Sequence, residues 1–454
     1  MTRTSPSPAA RGTHALQFFG AEFARLEAGH RPVPAWLQTA RRKAFAHLAE
    51  IGFPSVRDEE WRFTNVAPIL QAAFVPATDE AARLVPDSIR PFAFPYTAHV
   101  LLVFVNGRFA PALSTVPAMA GGVRVESLAA ALASRPEALG FHLARLARQD
   151  GRAFLALNTA FLHDGAVVEI PPHTDVAEPI HLLFLASAPD GATVSHPRTL
   201  VIAGENSQAR IVESYAGFGA GPYLTNAVTE VAVGDGAVID HYRVQQDGAQ
   251  AFHIGATHAT VRRSAAYTSH AVTFGAAISR SDIVVSLEGE GATCTLNGLY
   301  LVDGTRLADH HTEIDHAQPH CSSHELYKGI LGGRGRAVFN GRIRVRPDAQ
   351  KTDAKQTNKT LLLSDEAQIN TTPQLEILAN DVKCTHGATV GQLSEDALFY
   401  LRTRGIGRDE ARALLIHAFS SDVLDRMPLE SLRGYLDGLL VSKLRRMTDT
   451  GAAS

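Results

Sequence analysis

The feature that most constrains this chain is what its long middle lacks. From about residue 158 to residue 393, short runs rich in Val, Ile, Thr and Tyr follow one another, among them residues 166–170, 181–185, 199–202, 209–213, 226–233 and 237–244. Gly, Asp, Asn or Pro separates them, which is the punctuation of strands and turns. The helices that a βαβ unit needs between successive strands are missing, so the stretch must be all β. A sandwich domain holds ~100 residues and is too small for it. Stacked short coils, each burying its inner face on its neighbours, grow to any length. A β-solenoid follows, with no strict repeat visible in the sequence.

Helical periodicity frames this core. Leu16, Phe19, Phe23 and Leu26 recur at helical spacing, and Trp36, Leu37, Ala40, Ala44, Phe45 and Leu48 do so again before Gly52. Arg41, Arg42 and Lys43 read as a solvated face, and Trp61 as an anchor that docks one element on the core. Residues 100–105 read as a strand closed by the Asn106-Gly107 turn, and the Ala/Leu-rich residues 125–157 as a helical insertion. Ser394, followed by Glu395 and Asp396, is an N-cap with an acidic first turn. Further helices are predicted from Arg408 and from near Pro428. The expected layout is mainly β. A leader over 1–13, read as disordered and without the apolar region of a signal peptide, precedes a helical domain over 14–95. A β core over 96–393 and a helical domain over 394–454 complete it.

Composition narrows the function. A net charge of −3 leaves no electrostatic footprint for nucleic acid. No apolar run reaches the roughly 18 to 20 residues of a membrane helix. Three cysteines without framework spacing point to a reducing compartment, hence the cytoplasm. The Gly329 to Arg336 stretch lacks the Gly-Lys-Ser/Thr ending of a P-loop, so ATP hydrolysis by this chain is not expected. Gly-x-Ser-x-Gly is missing too, and with it any support for a serine hydrolase.

Two stretches offer ligand chemistry. Over residues 380–389, a strand would place Val382, Cys384 and His386 on one face and Lys383 and Thr385 on the other. A thiol and an imidazole then stand side by side, a pair suited to a soft metal. Two ligands do not complete a zinc site, so others must come from elsewhere in the chain or from a second subunit. The commoner alternative is a small buried apolar Cys beside a hydrogen-bonded His. The second stretch, residues 309–324, is dense in His, and His310, His316, His320 and Cys321 are its weaker metal candidates. A strand splits it, setting His310 and His316 on one face and His311, Glu313 and Asp315 on the other.

Several further stretches stand in order along the chain: Glu60-Trp61-Arg62, Arg198-Thr199-Leu200-Val201, Glu213-Ser214-Tyr215, Gly298-Leu299-Tyr300-Leu301, Ile314-Asp315-His316, Tyr327-Lys328-Gly329-Ile330, Val338-Phe339-Asn340-Gly341, Leu361-Leu362-Leu363-Ser364 and the 381–389 run. With Phe399-Tyr400-Leu401 and Arg404-Gly405-Ile406, this series resembles the SufB/SufD family of the SUF iron–sulfur cluster assembly system. The resemblance covers roughly residue 52 to the C-terminus. Where the SufB branch carries a cysteine before an apolar triplet and a His-Glu pair, this chain reads Asn358-Lys359-Thr360-Leu361 and His386-Gly387, which is similar to the SufD branch.

The resemblance implies a right-handed parallel β-helix between helical ends. It implies assembly with a SufB-like paralogue and with a SufC-like ATPase that docks on the C-terminal helices, for which Leu401, Arg404, Gly405, Ile406, Ala411, Leu415 and Phe419 are the expected contacts. It makes His386 a residue of the nascent cluster site at the SufB interface, with Cys384 as a less certain partner. It implies a scaffold rather than an enzyme, with no cofactor held by this chain alone and a transient iron–sulfur cluster or iron in the complex. A homodimer of the isolated chain is a further expectation. The rival readings are a β-helix carbohydrate-active enzyme of the secreted type and a purely structural paralogue without ligands.

Overall fold

The computed structural model describes residues 8–29, 33–75, 84–94, 100–147, 151–188, 191–219 and 221–451. Its centre is a β-solenoid of about seven turns between residues 165 and 391. Strands alternate between two parallel sheets. Sheet A carries, in order, Gly165–Ile170, Arg198–Ala203, Tyr223–Val233, Phe252–Val261, Ile278–Leu287, Leu307–His316, Arg336–Val345 and Gln368–Ile377. Sheet B carries Val100–Val105, Ile180–Ser187, Gln208–Phe218, Val238–Gln246, Ala266–Thr273, Thr293–Val302, Ser322–Leu331, Asp353–Leu362 and Lys383–Gly391.

Each strand buries every second side chain in the lumen, where Ile211, Ile239, Tyr267, Leu296, Val231, Ile283, Ile314 and Phe339 belong to one continuous core. Phe252 pairs with Ile278 and Gly165 with Arg198, so one coil takes 26 to 33 residues. That variation hides the repeat from inspection of the sequence. The Asn106-Gly107 turn is as expected, with φ of 49° and 74° leading into the antiparallel Arg108–Phe109 strand.

The two helical regions cover opposite outer faces. Helices Pro8–Ala28 and Ala35–Ile51 pack with the buried Ala153–Ala160 helix through an aromatic cluster that includes the stacked Phe23 and Phe45 rings, 4.5 Å apart. Trp61 is the anchor the sequence suggests: its ring lies 5.5 Å from that of Phe154 and 3.9 Å from the Arg280 guanidinium on sheet A. On sheet B, Leu326, Ile330, Leu299 and Tyr242 meet Ile416, Leu432, Leu436 and Leu440 of helices Arg408–Leu424 and Glu430–Gly451.

Three expectations need correction. The first helix begins at Pro8, inside the stretch read as a disordered leader, because Pro is tolerated in a first turn and Ala9 and Ala10 are strong helix formers. Arg41 is buried rather than solvated, its guanidinium donating to the Leu162 carbonyl. The insertion opens with a strand, Arg124–Ser127, antiparallel to Gly165–Ile170, before the Leu128–Ser134 helix that Ser127 caps. Ser394 does cap the Glu395–Thr403 helix, accepting from the Ala397 N–H.

Candidate functional site

The solenoid ends on Lys383–Gly391, paired in parallel with Asp353–Leu362 so that Ala354 lies opposite Cys384 and Gln356 opposite His386. Ala354, Gln356 and Asn358 are buried while Lys355 and Lys359 are exposed. Alternation therefore aims Cys384 and His386 at the lumen, on the shared face that the sequence predicts. Among the described residues no further coil covers them. Cys384 keeps partial cover from Leu375 and Val382 beside Ile343 and Val345, and this desolvation pushes its thiol pKa up. His386 is exposed, and a Cβ at Gly387 or Gly391 would meet nothing within 4 Å.

Apolar side chains share this end, with Leu378 50% and Val390 46% exposed. An unpaired strand edge carrying exposed apolar groups is a surface that proteins ordinarily cover. Chemically the pair offers one soft sulfur and one imidazole nitrogen. Among the described residues no group of three or more His, Cys, Asp or Glu could hold a metal ion. A centre of three or four ligands at this end would need donors beyond these two.

The His-rich stretch is dispersed by the fold. His310 faces the lumen between Tyr300 and Tyr327, with ring centroids at 4.9 and 5.5 Å. His316 is buried with Nε2 2.9 Å from Ser323 Oγ. Burial lowers both imidazole pKa values to about 4, so both are neutral. His320 is exposed in a turn at φ 59°, and Cys321 is buried with Sγ donating to the Gly289 carbonyl at 3.3 Å. These four candidates are not brought together.

Sequence reasoning missed the role of their neighbour His311. It faces outward, with Nδ1 3.2 Å from Glu60 and Nε2 3.0 Å from Asp309. Asp309 also accepts from Thr64 Oγ1 at 2.6 Å and from Arg280 at 3.0 Å. Burial alone would lower the His311 pKa, but the Asp309 and Glu60 carboxylates override it and raise the value to about 9. This cluster ties the Glu60-Trp61-Arg62 segment to sheet A. Nothing in the linear spacing of 60, 280, 309 and 311 reveals it.

The expected contacts on the C-terminal helices divide in two. Arg404 and Gly405 are exposed, while Leu401, Ile406 and Leu415 are half-buried. Ala411 is fully buried, and Phe419 is turned onto the solenoid, its ring 4.5 Å from Lys328 Nζ. Ala411 is spent on internal packing, and Phe419 is half-buried. Phe399, Tyr400 and Leu414 are the exposed apolar side chains here, at 69%, 58% and 45%. A period count finds them only once the buried face of each helix is known.

Residues 184–419 match the family described as SUF system FeS cluster assembly, SufBD core domain, and residues 16–182 match the SufBD protein N-terminal region. The chain belongs to the SufB/SufD family. Within it, the chain is similar to an iron–sulfur cluster assembly SufBD family protein of Synechocystis, 36% identical over 409 residues, which are 88% of this chain and 89% of that one. It is also similar to the iron–sulfur cluster assembly protein SufD of Escherichia coli, 29% identical over 86% of this chain and 90% of the relative. A chloroplastic protein of Arabidopsis thaliana, ABCI7, is 30% identical over 89% of this chain and 86% of its own length. The SufBD core match contains the whole solenoid end, His386 included, and stops at Phe419. No helix among the described residues is long and apolar enough to cross a membrane.

Proposed function

We propose that this SufB/SufD-family chain is the SufD-like scaffold subunit of a SufBCD complex in the cytoplasm. It sets its open solenoid end against a SufB-like paralogue and carries a SufC-like ATPase on its C-terminal helices. The observation that carries the reading is the end strand itself, where an exposed imidazole and a half-buried thiol share an inward face that no further coil covers among the described residues. The cluster is cargo rather than resident cofactor. His386 and Cys384 contribute ligands to it, and the paralogue contributes the rest, since soft thiolate and imidazole donors suit iron–sulfur chemistry. This chain catalyses nothing itself, and the ATP-dependent step belongs to the ATPase.

The helices are anchored so that movement reaches the end. Lys328 Nζ lies 2.8 Å from Asp422, Lys443 Nζ donates to the Phe274 carbonyl at 2.8 Å, and Arg412 donates to the Leu363 carbonyl at 2.9 Å. ATP-driven approach of two SufC-like subunits pulls through these contacts on sheet B and opens the SufB interface to iron and sulfide. The carbohydrate-enzyme reading has no such support: helices cover parts of both outer faces, and the family match lies elsewhere. The three cysteines are free thiols, in keeping with a reducing compartment.

The interface half of the proposal is tested by charging the end. Leu378→Lys with Val390→Lys should abolish co-purification with the SufB-like paralogue and leave capture by the SufC-like ATPase unchanged. Unaltered pairing with the paralogue would place that interface elsewhere.

A further inference from the structure

The solenoid lumen is not apolar throughout. Buried and facing inward between strands Val238–Gln246 and Asp353–Leu362 stand Arg243, His253, Glu325, Gln356 and Asn358. Glycines make room for them. A Cβ at Gly255 would fall 1.6 Å from Arg243 Nη2, and one at Gly341 would fall 2.1 Å from Gln356 Nε2. In the earlier coils these groups satisfy one another: Arg243 Nη2 lies 2.7 Å from His253 Nε2, whose Nδ1 is 2.9 Å from Asp247.

In the last coils they do not. Glu325 accepts through Oε2 from Gln356 Nε2 at 2.7 Å. Glu325 Oε1, Gln356 Oε1, Asn358 Nδ2 and both ring nitrogens of His310 have no hydrogen-bond partner in the protein, although none of these residues is more than 4% exposed. Polar groups buried this deeply are satisfied by water wherever protein partners are lacking. Register then supplies a direction. Glu325 pairs with Gln356, and Gln356 with His386, so the three form one column from the interior to the exposed end.

We propose that the last coils enclose a hydrated compartment in which Glu325 takes up and releases a proton, exchanging it along the Gln356–His386 column with the open end of the solenoid. This deepens the reading of that end as a cluster half-site and rests on it. A thiol ligand sheds its proton when a metal binds, and that one proton passes through water to the single Glu325 carboxylate, which becomes a carboxylic acid while no electron moves. The groups around Glu325 suit the task. Its hydrogen bond comes from the neutral Gln356, Thr312 carries an Oγ1 that has no hydrogen-bond partner of its own, and Cys294 and Tyr327 lie near it as neutral groups. His310 is neutral as well, and Arg243 is engaged with Ser281 and His253. Burial without a paired cation raises the Glu325 carboxyl to about 7, within reach of physiological pH.

The test is infrared difference spectroscopy of the isolated full chain, titrated from about pH 5 to about 9, on either side of the shifted carboxyl. The wild type should show a protonated-carboxyl band that disappears with an apparent pKa near 7 and is missing from Glu325→Gln. In D2O that band should shift promptly, and Gln356→Met should slow its exchange at least about tenfold, since replacing the polar path costs on the order of one hydrogen bond. A Glu325 that stays ionised over the whole range, or a carboxyl that exchanges only on global unfolding, would overturn the proposal. The readout needs no cluster, so it is independent of the half-site reading, which stands or falls on His386→Ala.

Discussion

His311 shows how far one register position decides a residue's role. Its neighbour His310 points into the lumen and is held neutral, while His311 points out to Glu60 and Asp309 and is held protonated. The folded pKa of about 9 lies above the ordinary value near 6.5. The stabilisation from His311 is therefore fully present below about pH 6.5 and is lost as pH rises through about 9. The two values differ by about 2.5 units, which corresponds to on the order of 2 to 3 kcal/mol for a partly solvated group. Thermal unfolding of the wild type should show this fall between about pH 6.5 and 9, and His311→Gln should flatten it. An unchanged slope in the variant would remove His311 from the clasp. Period-two alternation alone made the shared face of Cys384 and His386 legible. It cannot tell which face of a strand is the lumen, which is why His310 and His316 read as ligand candidates.

Among the elements, the strands were the most legible part of the chain, because β-branched runs between Gly, Asp and Asn signal them locally. The coil repeat was not, since its length drifts from 26 to 33 residues. The glycines inside the strands carry information that sequence alone does not expose. A Cβ at Gly298 would sit 2.2 Å from the buried Tyr327 ring, whereas one at Gly387 meets open space. Gly298→Ala should therefore cost about 1 to 3 kcal/mol by overpacking, while Gly387→Ala should stay within about 0.5 kcal/mol of the wild type. Denaturant unfolding of the two variants side by side measures the difference. Equal stabilities would mean that the Tyr327 ring is not fixed by its packing.

Among the described residues the molecule is a stack with helices on parts of each outer face and an uncovered end at Lys383–Gly391. Its fold class was readable from the missing helices in the middle. Its surfaces were not, because Ala411 is fully buried and Phe419 is half-buried against the solenoid while Phe399, Tyr400 and Leu414 are exposed. Docking of the ATPase should follow exposure: Phe399→Ala with Tyr400→Ala should weaken its capture at least about tenfold, as loss of aromatic anchors at an interface does. Capture at wild-type affinity would move the docking surface off the Glu395–Thr403 helix.

In the proposed function the open end holds this chain's share of a cluster. The direct measurement is anaerobic co-purification with the SufB-like and SufC-like partners, followed by visible absorption of the complex for wild type, His386→Ala and Cys384→Ala. The wild-type complex should be coloured, the His386→Ala complex intact but colourless, and the Cys384→Ala complex reduced in colour. Equal colour in all three would contradict it and leave the chain a structural paralogue without ligands of its own.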